Sequence, residues 1–276
     1  MTAFLPPPVS VKPPDLKRPL LSFRVRLWLT WAAMLALFAA LFLSFDLKFS
    51  IVAAKWQYLL GLHLSPNGFL QGAALTLFLC VCSTACSLIL GFVSALARLS
   101  SSAVAVGIAS FYTSFFRGTP LLIQILMIYL GLPQLGIVPG AVSAGIIALS
   151  LNYGAYLSEI FRAGIIGIGS GQRNAAAALG MSPFVTFWQI VLPQAMRTII
   201  PPTSSQFISM LKDSSLVSVM GVWEVMFLAQ SYGRASYRYI EMLTTAAVIY
   251  WVLSMGLELI QARLERHYGK AYAHQR

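Results

Sequence analysis

Residues 70–97 read LQGAALTLFLCVCSTACSLILGFVSALA, a run of 28 residues that carries no charge. A helix that crosses the hydrocarbon core of a bilayer needs about 20 largely apolar residues, so this run is long enough to span a membrane. Small side chains recur within it at every fourth position, at Ser83, Ser87, Gly91 and Ala95. This spacing predicts a helix that packs closely against a neighbouring helix.

The composition of the whole chain is that of a membrane protein. Hydrophobic residues make up 58% and charged residues 10%, whereas soluble domains carry about 25% charged residues. The net charge is +11, but Lys and Arg lie in short segments between apolar runs, which argues against a nucleic-acid-binding stripe. Cys80, Cys82 and Cys86 fall within the uncharged run without a nearby His, and we therefore predict no metal site.

Six apolar runs predict an all-α integral membrane protein with about six transmembrane helices. The first run is longer than the apolar core of a cleavable signal peptide, about 7–15 residues, and is predicted to remain as an anchor. Arg117 interrupts the third run, and Pro and Gly within residues 131–140 separate it from the fourth. The runs are residues 27–45, 70–97, 103–130, 141–160, 198–227 and 242–262.

The basic residues between these runs predict the orientation of the chain. Thirteen Lys and Arg fall on one side and four on the other (Lys48, Lys55, Arg234 and Arg238). We therefore place both termini in the cytoplasm, with a disordered, proline-rich basic tail over residues 1–26 and a second tail over 267–276. The side with thirteen comprises Lys12, Lys17, Arg18, Arg24, Arg26, Arg98, Arg162, Arg173, Arg197, Arg263, Arg266, Lys270 and Arg276.

One long connection on this side, residues 163–196, carries its own helix signals. Residues 171–183 read GQRNAAAALGMSP. Ser170 suits an N-cap, Gly180 a left-handed C-terminal cap, and Ser182 followed by proline the start of a second helix that Pro193 ends. An amphipathic interfacial loop and a DNA-reading helix-turn-helix are alternatives, but two arginines are too few for phosphate contacts.

These residues resemble a known element of ATP-binding-cassette (ABC) importers. Residues 171–180, followed by IVLPQA at 190–195, are similar to the EAA loop with which permease subunits dock onto an ATPase, except that Asn174 replaces the usual glutamate. The resemblance implies ATPase coupling through residues 171–183. It assigns this role to Gln172, Asn174, Ala175, Ala176, Leu179, Gly180, Ser182 and Pro183.

Three further stretches resemble the polar amino acid branch of these permeases: FRGTPLL at 116–122, NYGAYLSEIFR at 152–162 and LKDSSL at 211–216. The resemblance covers residues 70–266 and implies a five-helix importer permease core, to which residues 27–45 add an extra N-terminal transmembrane helix. It also implies a bacterial inner membrane location. The implied partners are two copies of an ABC ATPase subunit that binds ATP and Mg²⁺, a second permease (a copy or a homologue) and an extracytoplasmic solute-binding protein.

Ionisable residues at membrane depth mark candidate pathway positions. Arg117 and Asp213 are predicted about 21–24 Å from the cytoplasmic side, where they either form a structural ion pair or contact a solute. Glu159 either lines the pathway or pairs with Arg162 one turn away. The full candidate set is Arg117, Gly118, Thr119, Asn152, Tyr153, Tyr156, Glu159, Lys212, Asp213 and Ser214.

The sequence therefore predicts a non-catalytic permease subunit of an ATP-driven importer for a polar amino acid. It contains no phosphate-binding G-x-x-x-x-G-K-[ST] motif and no histidine among carboxylates. The alternative is an ion-coupled secondary transporter, which would favour related halves and a buried carboxylate set. Glu159, Asp213 and Glu224 are the candidates for such a set.

Overall fold

The structure, a computed structural model, describes residues 22–43, 47–66 and 68–269. Its regular elements within these ranges are helices, and one isolated bridge joins Gly72 to Glu224. Residues 1–21 and 270–276, which hold most of the two predicted tails, lie outside the described residues, as do residues 44 and 45 of the first predicted span. The chain divides into two units, residues 1–48 and 49–276.

The predicted tail boundaries need correction, because helices extend into both tails. In the first unit, α1 (Phe23–Leu43) begins within the predicted N-terminal tail. In the second unit, the last helix continues to Gly269, within the predicted C-terminal tail. The N-terminal extension contains Arg24 and Arg26, which are good helix formers. The C-terminal extension adds three residues, and the helix ends there at a glycine, Gly269.

The second unit consists of ten further α-helices among the described residues, with shorter π and 3₁₀ turns between some of them. They are α2 (Ser50–Leu60), α3 (Gly72–Leu99), α4 (Ala103–Gly118), α5 (Leu121–Leu126), α6 (Ala141–Ile166), α7 (Ser170–Ala178), α8 (Pro183–Thr186), α9 (Leu192–Asp213), α10 (Val225–Ser236) and α11 (Tyr239–Gly269).

Helices α3 and α6 form the centre of the second unit and pack along most of their length. All four small residues of the predicted ladder on α3 are buried. A Cβ atom at Gly91 would lie 2.7 Å from Leu157 Cβ on α6, and Ser158 donates a hydrogen bond of 3.0 Å to Ser94 Oγ. The predicted close packing is thus confirmed, and its partner is α6.

Four helices are long and apolar enough to cross a membrane: residues Phe23–Ala40, Gly72–Leu99, Ala141–Ile166 and Tyr239–Arg263. Helix α4 and residues Leu121–Leu135 make a fifth candidate together, but they are bent by 108° relative to each other. The predicted third span over 103–130 is therefore not one straight helix. Thr119 precedes a proline and takes the extended conformation that this position favours, so the helix ends there.

The predicted span over residues 198–227 is likewise not a single helix. Helix α9 ends at Asp213, a 3₁₀ helix follows over Ser214–Met220, and α10 begins at Val225. Gly221 takes the left-handed conformation that reverses the chain. The predicted number of about six spans stays a prediction, since length and apolar composition support four or five in the described residues.

Candidate functional site

The bend between α4 and α5 is held by two buried side-chain amides. Gln124 Nε2 donates to the carbonyl oxygens of Phe116 (2.9 Å) and Thr119 (3.0 Å). Asn152 Nδ2 on α6 donates to the same Phe116 oxygen (3.0 Å) and to Gln124 Oε1 (3.1 Å). These bonds satisfy carbonyl groups that the end of a helix leaves open, and they fix the bend against α6.

A cavity of about 490 Å³ lies beside this bend. Helices α4, α6 and α9 and the bend itself form its wall, and seven of the ten predicted pathway residues line it. The lining consists of Arg117, Gly118, Thr119, Pro120, Leu121, Asn152, Tyr153, Tyr156, Gln206, Ser209 and Asp213.

The other three predicted pathway residues are not in this described lining. Lys212 is exposed on α9. Ser214 is buried and donates to the Leu211 carbonyl (2.7 Å). Glu159 contacts Arg117, which lines the cavity, at 3.2 Å.

Three polar residues at this site, Gln124, Gln206 and Ser209, are not among the predicted pathway residues. Gln206 and Ser209 precede Asp213 by seven and four residues on α9, so all three share one helix face. That periodicity of polar residues within a predicted span was a usable signal. Gln124 gave a weaker signal, because its role depends on a bend that local sequence does not fix.

The cavity carries a guanidinium and a carboxylate, held by different partners. The Arg117 guanidinium lies 5.4 Å from the centre of the Tyr156 ring, and Tyr153 donates a hydrogen bond of 2.7 Å to Asp213 Oδ2. Of the two roles considered for Arg117 and Asp213, an ion pair between them is not formed, because each has another partner. Helix α6 supplies both charges with partners, Glu159 for the arginine and Tyr153 for the aspartate.

Glu159 gathers three arginines around one carboxylate. Arg98 Nη1 lies 2.6 Å and Arg117 Nη1 3.2 Å from its Oε1. Arg162 contacts Oε2 through Nη2 (2.9 Å) and Nε (3.1 Å), which confirms the predicted pairing one turn away. The cluster joins the end of α3, the end of α4 and the second half of α6, and its formal charge is positive.

Glu224 has a different role from the one that ion coupling would require. It is fully buried at the start of α10 and accepts hydrogen bonds from the backbone N–H groups of Met226 (2.9 Å) and Phe227 (2.7 Å) and from the Tyr250 hydroxyl. Each of the three carboxylates named for a coupling ion thus holds protein donors. Glu224 is a helix cap that ties α10 to α11.

The connection between α6 and α9 forms the predicted pair of short helices. Gly180 has φ +75°, its N–H donates to Ala177 O (3.0 Å), and the Met181 N–H donates to Ala176 O (3.0 Å). These two bonds are those of a Schellman cap, so the predicted left-handed Gly180 is confirmed. Ser182 caps the next helix by accepting from the Val185 N–H (3.3 Å), and Pro183 is its first residue.

Two details of this connection differ from the prediction. Gly169, not Ser170, is the N-cap of α7, because the helix begins one residue early and Ser170 makes no capping bond there. Pro193 does not end the second helix. A wide π-helical turn over Phe187–Val191 precedes it, and such a turn lets the helical path continue into α9 without the usual proline clash.

Most of the predicted docking residues face outward. Gln172, Asn174, Ala175, Leu179, Gly180, Ser182 and Pro183 are exposed, whereas Ala176 is buried and packs inward. Two large apolar side chains stand out, Leu179 (81% exposed) and Phe184 (72%). Arg173 Nη2 donates to the Ile165 carbonyl at the end of α6 (2.9 Å), so this exposed surface is tied to the helix that lines the cavity.

Apolar helices around a polar cavity, with a capped pair of short helices between two of them, define a membrane transport component. The chain belongs to the family described as "Binding-protein-dependent transport system inner membrane component", which matches residues 87–270. It is therefore an ABC importer permease, a multi-pass inner membrane protein of a family that works with an ATPase and a binding protein.

Relatives agree with this assignment. The arginine transport system permease protein ArtQ of Bacillus subtilis (strain 168) is 44% identical over 198 residues, which cover 71% of this chain and 90% of the relative. A putative glutamine transport system permease protein GlnP of Rickettsia bellii (strain RML369-C) is 36% identical over 212 residues, covering 76% and 97%.

Solved structures show the same fold. A chain of an amino acid ABC transporter crystallised with histidines matches with a TM-score of 0.72 at 34% identity, covering 81% of this chain and all of that one. The MetNI methionine ABC transporter in an inward-facing conformation matches with a TM-score of 0.62 at 20% identity, covering 71% and 94%. The predicted permease class is thus confirmed, and the ion-coupled alternative has no support.

Proposed function

We propose that the chain forms the translocation pathway for a polar amino acid and that the cavity beside the α4–α5 bend is where the solute binds. The observation that carries the proposal is that one cavity is lined by two opposite charges, the Arg117 guanidinium and the Asp213 carboxylate. A free amino acid carries the complementary pair, a carboxylate and an ammonium group. The names of the relatives support the same solute class.

The chemistry of the lining residues suits this solute. The planar guanidinium of Arg117 matches a carboxylate through two parallel hydrogen bonds. Tyr153 occupies one oxygen of Asp213, which leaves acceptor capacity for an ammonium group. Gln206 and Ser209 add neutral polar groups, and the volume of about 490 Å³ falls in the range of small-molecule sites, about 300–1,000 Å³.

The chain itself hydrolyses no ATP in this proposal. Two copies of a separate ATPase bind ATP and Mg²⁺ and dock on residues 171–183, where Leu179 and Phe184 present exposed apolar side chains. Large apolar groups on a rigid support are typical of interface anchors. A second permease, a copy or a homologue, and an extracytoplasmic binding protein complete the assembly. Residues 70–266 form its permease domain, and α1 (Phe23–Leu43) adds a further helix.

The proposed orientation places both termini and residues 163–196 in the cytoplasm. Its support is the excess of basic residues on that side, thirteen against four. Cytoplasmic loops of bacterial membrane proteins carry such an excess of Lys and Arg.

The test of the cavity is Asp213→Asn in the purified permease–ATPase complex in nanodiscs. Dissociation constants are measured for L-arginine, L-histidine and L-glutamine. Loss of a charged hydrogen bond should raise the Kd of the bound amino acid by roughly tenfold to a hundredfold. The matched control is Lys212→Gln, a change of the adjacent charge outside the described lining, which should leave Kd unchanged. Unaltered affinity in Asp213→Asn would remove the cavity from the pathway.

A further inference from the structure

We infer that Glu159 competes with the transported solute for Arg117: it holds this arginine while the cavity is empty and releases it to the carboxylate of an entering solute. This inference rests on the proposed function, because it assigns the solute carboxylate to the cavity. It adds to that function an internal carboxylate whose contact with Arg117 depends on whether the cavity is occupied.

The charge of the cluster leaves room for a second anion. Arg98, Arg117 and Arg162 surround the single carboxylate of Glu159. Three guanidinium groups and one carboxylate leave an excess of two positive charges. A further carboxylate that enters next to Arg117 is therefore attracted by the cluster.

Arg117 is the member of the cluster that is released at least cost. Arg98 makes a short contact and has a side chain 17% exposed, and Arg162 makes two hydrogen bonds to the other oxygen. Arg117 makes a longer contact of 3.2 Å and is 41% exposed. When it leaves, Glu159 keeps two arginine partners, so no unpaired carboxylate remains.

Arg117 also has a surface to move along and a cavity to move into. It lines the cavity, whereas Glu159 lies outside the described lining. Its guanidinium lies 5.4 Å from the Tyr156 ring, and a guanidinium can slide over an aromatic face while it keeps a cation–π attraction. The exchange therefore needs only a change in side-chain torsions.

The position of Arg117 links this exchange to the bend. Arg117 lies in the last turn of α4, next to Phe116, whose carbonyl is anchored to α6 through Asn152. Three links therefore join the end of α4 to α6: the amide link, the pair between Arg117 and Glu159, and the contact of Arg117 with the Tyr156 ring. Entry of a solute carboxylate opens the pair with Glu159 and leaves the amide link, so it loosens the contact of α4 with α6 while the bend stays held.

The experiment compares each amino acid with its carboxamide in the permease–ATPase complex in nanodiscs. The probes are L-arginine, L-histidine, L-glutamine and their α-carboxamides, in which a neutral amide replaces the α-carboxylate. Glu159→Gln removes the competitor, so Kd of the amino acid should fall roughly twofold to fivefold, the value of a partly exposed ion pair. Kd of the carboxamide should stay the same.

Glu159→Asp is the second variant, for the case that Glu159→Gln does not fold. It keeps the charge of the cluster and draws the carboxylate back by one methylene group, so the longest contact, to Arg117, is lost first. Like Glu159→Gln, it should lower Kd of the amino acid relative to Kd of the carboxamide. An equal gain for amino acid and carboxamide would show a general field effect, and an unchanged ratio in both variants would show that Glu159 does not compete. Either result overturns the inference.

The two proposals fail in different ways. If none of the probes binds the unaltered complex, the proposed function and this inference fall together. A second case is that a probe binds and Asp213→Asn weakens its binding, but the ratio of carboxamide Kd to amino acid Kd does not change in the Glu159 variants. The cavity is then the solute site, and only the exchange at Arg117 is wrong.

Discussion

At Gly91 the backbone of α3 comes so close to α6 that no side chain fits. A Cβ atom there would lie 2.7 Å from Leu157 Cβ and 3.1 Å from the Gly154 carbonyl oxygen. Leu157 is fully buried, so it has no space into which it can withdraw. The single absent methyl group thus sets the distance between the two central helices.

Gly91→Ala should therefore destabilise the protein, by about 1–3 kcal/mol for an overpacked site. The control is Gly107→Ala on α4, where nothing lies within 4 Å of the added methyl group and where alanine favours the helix. The measurement is the thermal unfolding midpoint of the purified chain in detergent. Equal midpoints for the two variants would contradict the packing described for α3 and α6.

The depth of a charged residue in the membrane could be predicted, because it depends on position along the chain. Its contact partner could not be predicted, because that depends on the helix face on which the residue lies. The sequence identified Arg117, Asp213 and Glu159 as charges at membrane depth. It allowed a pair of Arg117 with Asp213, whereas Arg117 contacts Glu159, because the rise per residue gives depth but not which face of a helix points toward a neighbour. The ladder of small residues succeeded because its spacing defines a face directly.

At the scale of elements, the capped helix pair presents a rigid apolar surface between α6 and α9. Gly180 closes α7 with a left-handed turn, and Ser182 opens α8. The Phe184 ring lies 6.1 Å from the Trp188 ring, so the exposed phenylalanine has a fixed support. Rigid aromatic side chains lose little entropy on binding, which makes them effective anchors.

Phe184→Ala should weaken binding of the partner ATPase by about tenfold, the effect of losing an aromatic anchor. The matched control is Phe111→Ala on α4, since the two rings are equally exposed, 72% and 73%. Affinity between the permease in nanodiscs and the purified ATPase is measured by titration. If both variants bind as the parent does, or if both weaken alike, Phe184 is not an anchor of the interface.

The Gly180 and Ser182 caps were predictable from local sequence, although the N-cap of α7 lies one residue before the predicted Ser170. Features that depend on distant residues or on a neighbouring distortion were not predictable. The Gly180 cap needs only a glycine after a run of good helix formers, and it was found. Pro193 was expected to end a helix, but the π turn before it absorbs the distortion. The bend at residues 118–120 had its local signal in Thr119-Pro120, yet its angle depends on Gln124 and Asn152 from separate elements.

At the scale of the molecule, the number of spans cannot be obtained from hydropathy alone. Helix α9 packs against α6 and α11, but Gln206, Ser209 and Asp213 turn polar groups toward the cavity. Such a helix is too polar for a hydropathy criterion, because that criterion treats every residue as facing lipid. A helix in the interior of a transport protein escapes this cost by lining a polar cavity.

In the proposed function, a polar amino acid crosses the membrane through this cavity at the expense of ATP hydrolysed by a partner. Uptake into proteoliposomes tests it most directly, with ATP inside, the binding protein outside and labelled L-arginine, L-histidine or L-glutamine as solute. We expect uptake of at least one of them to require both ATP and the binding protein, to fall about tenfold or more in Asp213→Asn and to persist in Lys212→Gln. Uptake driven by an ion gradient without ATP, or equal uptake by both variants, would contradict the account.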